Sequence, residues 1–367
     1  LQSPSVAQIQ AIARAQKATL VEYSLMPTEL YIWVVEPTGT IHFRRQSLEV
    51  RSLPDNVRDN RLALGVRGRG ARFGNSSFAA RLPNRPSQDT GQRQLYQWLI
   101  HPIADLLPAE APLIIIPQAE LFLVPFPALQ DETGTDLIAQ HPLLFAPAIG
   151  LLKSTESPQP SLPIGEVPAL VVGNPLMPAD PDTGLPLPPL SGAEQEALTL
   201  APLLNAEPLI RETATKTAVV SQISHAEIAH FATHGLLDDF GTGIPGALAL
   251  TPTDNDSGFL TAAEILNLPL VARMVVLSAC NTGRGKITGD GVVGLSRSFL
   301  TAGVESVIVS LWEVPDEATT LLMTEFYRQL QQQPNRAIAL QQAMLTTRDR
   351  YPQPSNWAAF ALFGETT

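Results

Sequence analysis

Ile228-Ala229-His230-Phe231-Ala232-Thr233-His234-Gly235 and Val275-Val276-Leu277-Ser278-Ala279-Cys280-Asn281-Thr282-Gly283 are two short apolar runs, each closing on a reactive side chain and then a glycine-bearing turn. Unbroken apolar runs of this length suit strands buried on both faces. Outward from them the pattern alternates. Strand-like stretches at Ala169 to Gly173, Pro208 to Arg211, Glu227 to His234, Met274 to Cys280 and Ser306 to Trp312 are separated by helical spacing at Ser191 to Leu204, Lys216 to Ser224 and Gly291 to Ala302. Helices at Pro315 to Gln331 and Asn335 to Arg350 follow, and Ala359 to Phe363 closes the sheet. Such alternation predicts an α/β fold with a mostly parallel sheet flanked by helices, because parallel strands need crossover connections.

The earlier part of the chain reads as a smaller α/β companion. A helix over Ser5 to Ala18 precedes strands Thr19 to Leu25, Leu30 to Glu36 and Thr40 to Ser47, the last two joined by the turn residues Pro37-Thr38-Gly39. Helical stretches around Val57 and from Gln92 to Leu107 lead to strand Leu113 to Ile116. Proline and serine accumulate from Ser154 to Pro168, so the division expected is a companion region over 1–153, a linker over 154–168 and the main domain over 169–367.

Thirty-five acidic against 24 basic residues in 367 give a net charge of −11, which argues against phosphate-backbone binding and makes nucleic acid an unexpected partner. One cysteine excludes an internal disulfide and suits a reducing, cytoplasmic setting. No apolar run approaches the roughly 18 residues of a spanning helix, so no membrane association is expected. Leu1 to Gln10 lacks a signal pattern, and a leucine at position 1 suggests a piece of a longer chain.

If the two reactive strands are parallel neighbours, His234 and Cys280 end on one edge, where ligands of such sheets bind. An imidazole near pKa 6.5 can take the proton of a thiol near 8.5, and the thiolate attacks an acyl carbon. The N–H groups of Gly235 and Cys280 could hold the developing oxyanion. A lone cysteine ending an apolar strand is usually an inert core residue, and a histidine there is usually structural. Finding both on two such strands favours the catalytic reading.

His-Phe-Ala-Thr-His-Gly (230–235), Leu-Ser-Ala-Cys-Asn-Thr-Gly (277–283), Gly289-Asp290-Gly291-Val292-Val293-Gly294-Leu295 and Ser310-Leu311-Trp312-Glu313-Val314-Pro315-Asp316 together resemble the CHAT family, related to caspases and separases and often found with tetratricopeptide repeats. The resemblance runs from about Leu113 to Gly364 and implies a caspase-like sheet with a cysteine endopeptidase site, His234 as general base and Cys280 as nucleophile. The caspase pattern also places its histidine about 50 residues before an Ala-Cys pair. In the separase branch the counterpart of Trp312 to Asp316 resembles a wall of the pocket for the residue before the cut bond. Trp312 and Asp316 are therefore expected to bind substrate arginine, with Asp290 as a second candidate. A protein substrate, a regulatory or stress/defence role, and a repeat-domain partner, in the same full-length chain or outside it, are further implications.

Two other readings compete. A catalytically silent scaffold would need neither His234 nor Cys280. A dinucleotide enzyme could use Gly289 to Gly294, but Asn281 to Thr288 separate those glycines from the strand that should feed them. Gly241-Thr242-Gly243-Ile244-Pro245-Gly246 matches the same fingerprint yet leads into strand-like Ala247 to Leu250. His230 and His234 would stand about 13 Å apart along a strand, too far for one metal, so neither a metal nor a cofactor is expected. The Gly/Arg alternation at 65–72 reads as a solvated loop, and Pro175 to Pro189 as a loop over the sheet edge.

Overall fold

A computed structural model describes residues 3–48, 53–66, 88–153, 163–181, 183–236, 240–278 and 289–366, without the side chains of 88–89 and 289–293. The strands are β1 Thr19–Leu25, β2 Glu29–Val35, β3 Ile41–Ser47, β4 Leu113–Ile116, β5 Leu143–Phe145, β6 Ala169–Pro175 and β7 Leu209–Arg211. They continue with β8 Ile228–Ala232, β9 Gly235–Leu236, β10 Ala247–Ala249, β11 Phe259–Thr261, β12 Met274–Leu277, β13 Ser306–Ser310 and β14 Phe360–Gly364. The helices are α1 Val6–Gln16, α2 Leu53–Ala63, α3 Gln88–Leu99, α4 Leu137–Gln140, α5 Ser191–Leu200, α6 Lys216–Ile223, α7 Ala262–Ile265, α8 Gly289–Thr301, α9 Asp316–Gln332 and α10 Arg336–Arg350.

Eleven strands form one sheet in the order β3-β2-β1-β4-β5-β14-β13-β12-β8-β6-β7. Pairing is parallel throughout except at β1/β2, β2/β3 and β13/β14, so the mostly parallel expectation holds. Every residue of β4, β8, β12, β13 and β14 is buried, as both-face coverage requires. Helices do cover both faces. Successive strand residues point oppositely: His230 meets Glu196 of α5 and Tyr327 of α9, whereas the Phe231 ring packs 6.4 Å from Phe299 of α8.

The β2–β3 hairpin turns as its residues dictate, with Gly39 at φ +89° and its N–H bonded to the Glu36 carbonyl. The helix expected over Gln92 to Leu107 ends at Leu99, and a 3-10 turn over His101–Leu106 carries Pro102 near its start, where continuing the α-helix would cost a hydrogen bond. The sheet does not break at the serine- and proline-rich segment, of which 154–162 lies outside the described residues. Instead β14, from the end of the chain, enters between β5 and β13.

That seam is held at one end by charge. Glu305, just before β13, takes bonds from Arg336 Nη2 at 2.9 Å and Arg273 Nε at 3.3 Å, with Lys153 reaching Glu365 at 3.1 Å beside them. Arg336 and Glu305 are 1% and 10% exposed, so removing one partner strands the other in low dielectric. Glu305→Ala is therefore expected to lower unfolding free energy by about 3–5 kcal/mol, read from denaturant titration.

Candidate active site

β8 and β12 are parallel neighbours, the condition under which His234 and Cys280 would end on one edge, with Leu277 opposite Phe231 and the Ser278 N–H bonded to the Phe231 carbonyl at 3.1 Å. Counting three residues on from that pair along each chain reaches His234 and Cys280. Cys280 and the rest of 279–288 lie outside the described residues. Asp290 falls in the first turn of α8, and its side chain also lies outside the description.

The strand expected to reach His234 stops at Ala232, because the chain changes partners there. Thr233 Oγ1 donates to the Ala249 carbonyl, and the Ala249 N–H donates to the His234 carbonyl at 2.9 Å. Residues 235–236 then pair with β10 in a separate antiparallel sheet, β11-β10-β9. Antiparallel partners alternate between bonded and non-bonded pairs. Since His234 and Ala249 form a bonded pair, Gly235 opposite Leu248 is non-bonded, and its N–H points away from β10.

The His234 ring is 2% exposed, and its Nε2 lies 2.7 Å from the Pro188 carbonyl. A carbonyl only accepts, so Nε2 carries the proton of the neutral ring and Nδ1 is the basic nitrogen. Pro188 is itself positioned. The Leu190 N–H donates to Asn174 Oδ1 at 2.8 Å, Asn174 Nδ2 donates to Glu194, and Arg211 Nε donates to Glu194 at 2.9 Å. The Arg211 bond, then the Asn174 bond, hold the Glu194 carboxyl below its ordinary pKa.

Asp316 opens α9 and lies over α5: a methyl group on Gly192 would overlap its carboxyl carbon and both oxygens. Gly192 is four residues on from Pro188, at most about 14 Å of chain. The histidine and the carboxylate thus touch opposite ends of one short segment. Gly192 and Glu196 share a face of α5, one turn apart. Glu196 is 4% exposed and sits 3.0 Å from His230 Nε2, while His230 Nδ1 sits 3.1 Å from the Tyr327 hydroxyl. Partial desolvation, then the charges of Glu196 and Glu313, raise the Asp316 pKa, and burial with Glu196 pushes the Tyr327 phenol well above 10. Trp312, expected on the pocket wall, is 2% exposed and faces inward, its Nε1 bonded to the Ser355 carbonyl at 2.9 Å. Among the described residues no group of three or more His, Cys, Asp or Glu is arranged to hold a metal, and no helix is long and apolar enough to cross a membrane.

The CHAT domain family matches residues 90–365. The chain belongs to that family. Tetratricopeptide repeat protein 28 of Homo sapiens is 31% identical over 319 residues, covering 74% of this chain, and the Mus musculus protein matches equally. This CHAT chain spans 13% of the length of those relatives. Its fold resembles part of separase: a crystal structure of the Saccharomyces cerevisiae separase-securin complex superposes with a TM-score of 0.56 at 11% identity, covering 98% of this chain and 30% of that one. The caspase-like sheet implied by the motifs is thereby established.

Sequence reasoning missed three parts of this CHAT site. The Pro188 carbonyl carries no side-chain signal, and Glu196 and Tyr327 meet His230 only through tertiary packing. Gly192 stood in plain view, but only the position of Asp316 gives it meaning. The raised Asp316 pKa has a consequence for stability. The folded state binds the proton more tightly than the unfolded one, so stability falls as pH rises from the ordinary 3.8 through the raised value. Asp316→Asn should therefore melt at a higher temperature than the parent at pH 7, with the difference closing below about pH 4.

Proposed function

We propose that the chain is a cysteine endopeptidase that cleaves partner proteins after arginine. The observation that carries this reading is the buried His234 at the end of β8, its Nε2 fixed by the Pro188 carbonyl, on the strand beside the one that leads to Cys280. In the mechanism, Nδ1 takes the Cys280 proton and the thiolate sulfur bonds to the scissile carbonyl carbon. The oxyanion accepts from the N–H groups of Gly235 and Cys280. His234 returns the proton to the leaving amine, a water then attacks the thioester with His234 again as base, and the acid product leaves Cys280 as thiol.

Asp316 supports the arginine preference. Its carboxylate lies over a glycine, next to the buried Glu196, where a guanidinium regains in one bidentate contact what desolvation costs the acid. Lysine, a point charge, fits less well, and aspartate is repelled. Asp290 is the second carboxylate to test at that edge. The relatives are named for their tetratricopeptide repeats, and separase was crystallised with securin. A repeat segment or a separate protein is accordingly the regulator proposed for this chain. The 1–153 region acts as a companion that completes the protease part.

Peptide-library profiling of the purified chain tests the reading. Cys280→Ala and His234→Ala should each lower cleavage by at least about a thousand-fold while the chain stays folded. Unchanged cleavage by Cys280→Ala removes the endopeptidase assignment and leaves the silent scaffold. Asp316→Asn should lower kcat/KM for arginine peptides about ten- to a hundred-fold, the worth of one charge-assisted contact, with little effect on neutral substrates. Full arginine preference in that variant, measured beside Asp290→Asn, would move the pocket elsewhere.

A further inference from the structure

Arg61, in the last turn of α2, is 5% exposed, and its partners among the described residues are two carbonyls and an aromatic face. Nη1 donates to the Leu123 carbonyl at 3.1 Å, Nη2 to the Leu311 carbonyl at 2.8 Å, and the guanidinium carbon stands 5.3 Å from the centre of the Trp312 ring. Burial pushes its pKa down to about 10, so it remains a cation at neutral pH. A buried guanidinium is costly unless its donors are used. One donor and the aromatic contact are spent on a particular place: the exit of β13, where the chain turns toward Asp316.

Three further bonds at that exit restrain Ser310 to Trp312. The Leu311 N–H donates to the Ala359 carbonyl at 2.7 Å, the Ser310 hydroxyl donates to the Trp312 carbonyl, and the Trp312 indole donates to Ser355. Arg61 reaches the turn from the region before β4, taking the Leu311 carbonyl and stacking on Trp312 together. Pro315 then caps α9, and Asp316 begins it over Gly192. A shift of the Leu311–Pro315 turn is passed directly to the carboxylate, because one proline-capped corner separates them.

We propose that Arg61 is a positioning residue of the arginine pocket, holding the Leu311–Pro315 turn so that Asp316 faces the substrate. This rests on the reading of Asp316 as the arginine carboxylate. It makes α2 part of the specificity apparatus, so a fragment over 169–367 would lack a working pocket even with both dyad residues present.

The test uses the full chain and Arg61→Lys, which keeps a cation but gives up the fork and the stacking. Four quantities are read: KM and kcat for an arginine peptide, the same for its uncharged citrulline analogue, the iodoacetamide alkylation rate of Cys280, and hydrogen exchange at 311–318. The expected result is a KM for arginine raised about five-fold or more, with kcat and alkylation changed less than about two-fold, citrulline kinetics unmoved, and faster exchange confined to that segment. A purely structural anchor would move kcat, alkylation and both substrates together. Trp312→Phe, which gives up the indole bond to Ser355, should show the same split in weaker form and serves if Arg61→Lys does not fold. Unchanged KM or unchanged exchange in a folded variant overturns the proposal. Failure of the parent reading is distinct and visible first, as an unsubstituted chain that does not prefer arginine to citrulline; exchange at 311–318 then decides by itself whether Arg61 holds the turn.

Discussion

The antiparallel pairing of β13 with β14 is the constraint on which the rest of the molecule depends. Five consecutive residue pairs, from Ser306 opposite Gly364 to Ser310 opposite Phe360, join two parallel sets that run in opposite directions. The last strand of the chain lies in the middle of the sheet, beside β5 from the first half. Neither half can present a finished edge at the seam without the other, and an open edge there would expose unpaired backbone. The buried Glu305–Arg336 pair at one end and the Leu311–Ala359 backbone bond at the other close the seam along its length.

The same seam sets the chemistry. With β12 and β13 fixed, the carboxyl ends of β8, β12 and β13 lie side by side, and among the described residues Asp316 lies over Gly192 at the N-terminus of α5 while His234 meets Pro188 just before that helix. Two kinds of control act there. A carbonyl with no titration of its own, that of Pro188, selects which imidazole nitrogen is basic. A carboxylate that is partly desolvated and near two other acids, Asp316, is costly to ionise. On the proposed reading, that cost is what pairing with a substrate guanidinium would offset.

Much of this was legible in the sequence. Alternating apolar strands and helical spacing fixed the sheet class, and Pro37-Thr38-Gly39 fixed the first hairpin. Local signals failed where long-range contacts decide. The run ending at His234 reads as one strand, yet Thr233 and the His234 carbonyl bind Ala249, so β8 is cut short and a second sheet begins. A strand of two residues such as β9 has too little length for a period to register, whereas the strand-like Ala247 to Leu250 does contain β10. Leu121 to Leu152 reads as short strands broken by prolines, yet only β5 forms there, among 3-10 turns and the short helix α4. At the site, side chains with chemical character were found and backbone groups were not. Arg61 gave no cue, because a guanidinium that serves two carbonyls and a tryptophan from two distant segments has no sequence pattern.

The central claim is that an arginine-directed nucleophile sits at Cys280 and is armed by His234. Intact-mass measurement after incubation with a peptidyl-arginine acyloxymethyl ketone addresses it most directly, since the chain has a single cysteine. The account predicts one adduct on Cys280 at neutral pH, formed far more slowly when the arginine is replaced by norleucine and not formed at all in His234→Ala. An unlabelled parent chain, or labelling at equal rates with both side chains and without His234, would contradict it.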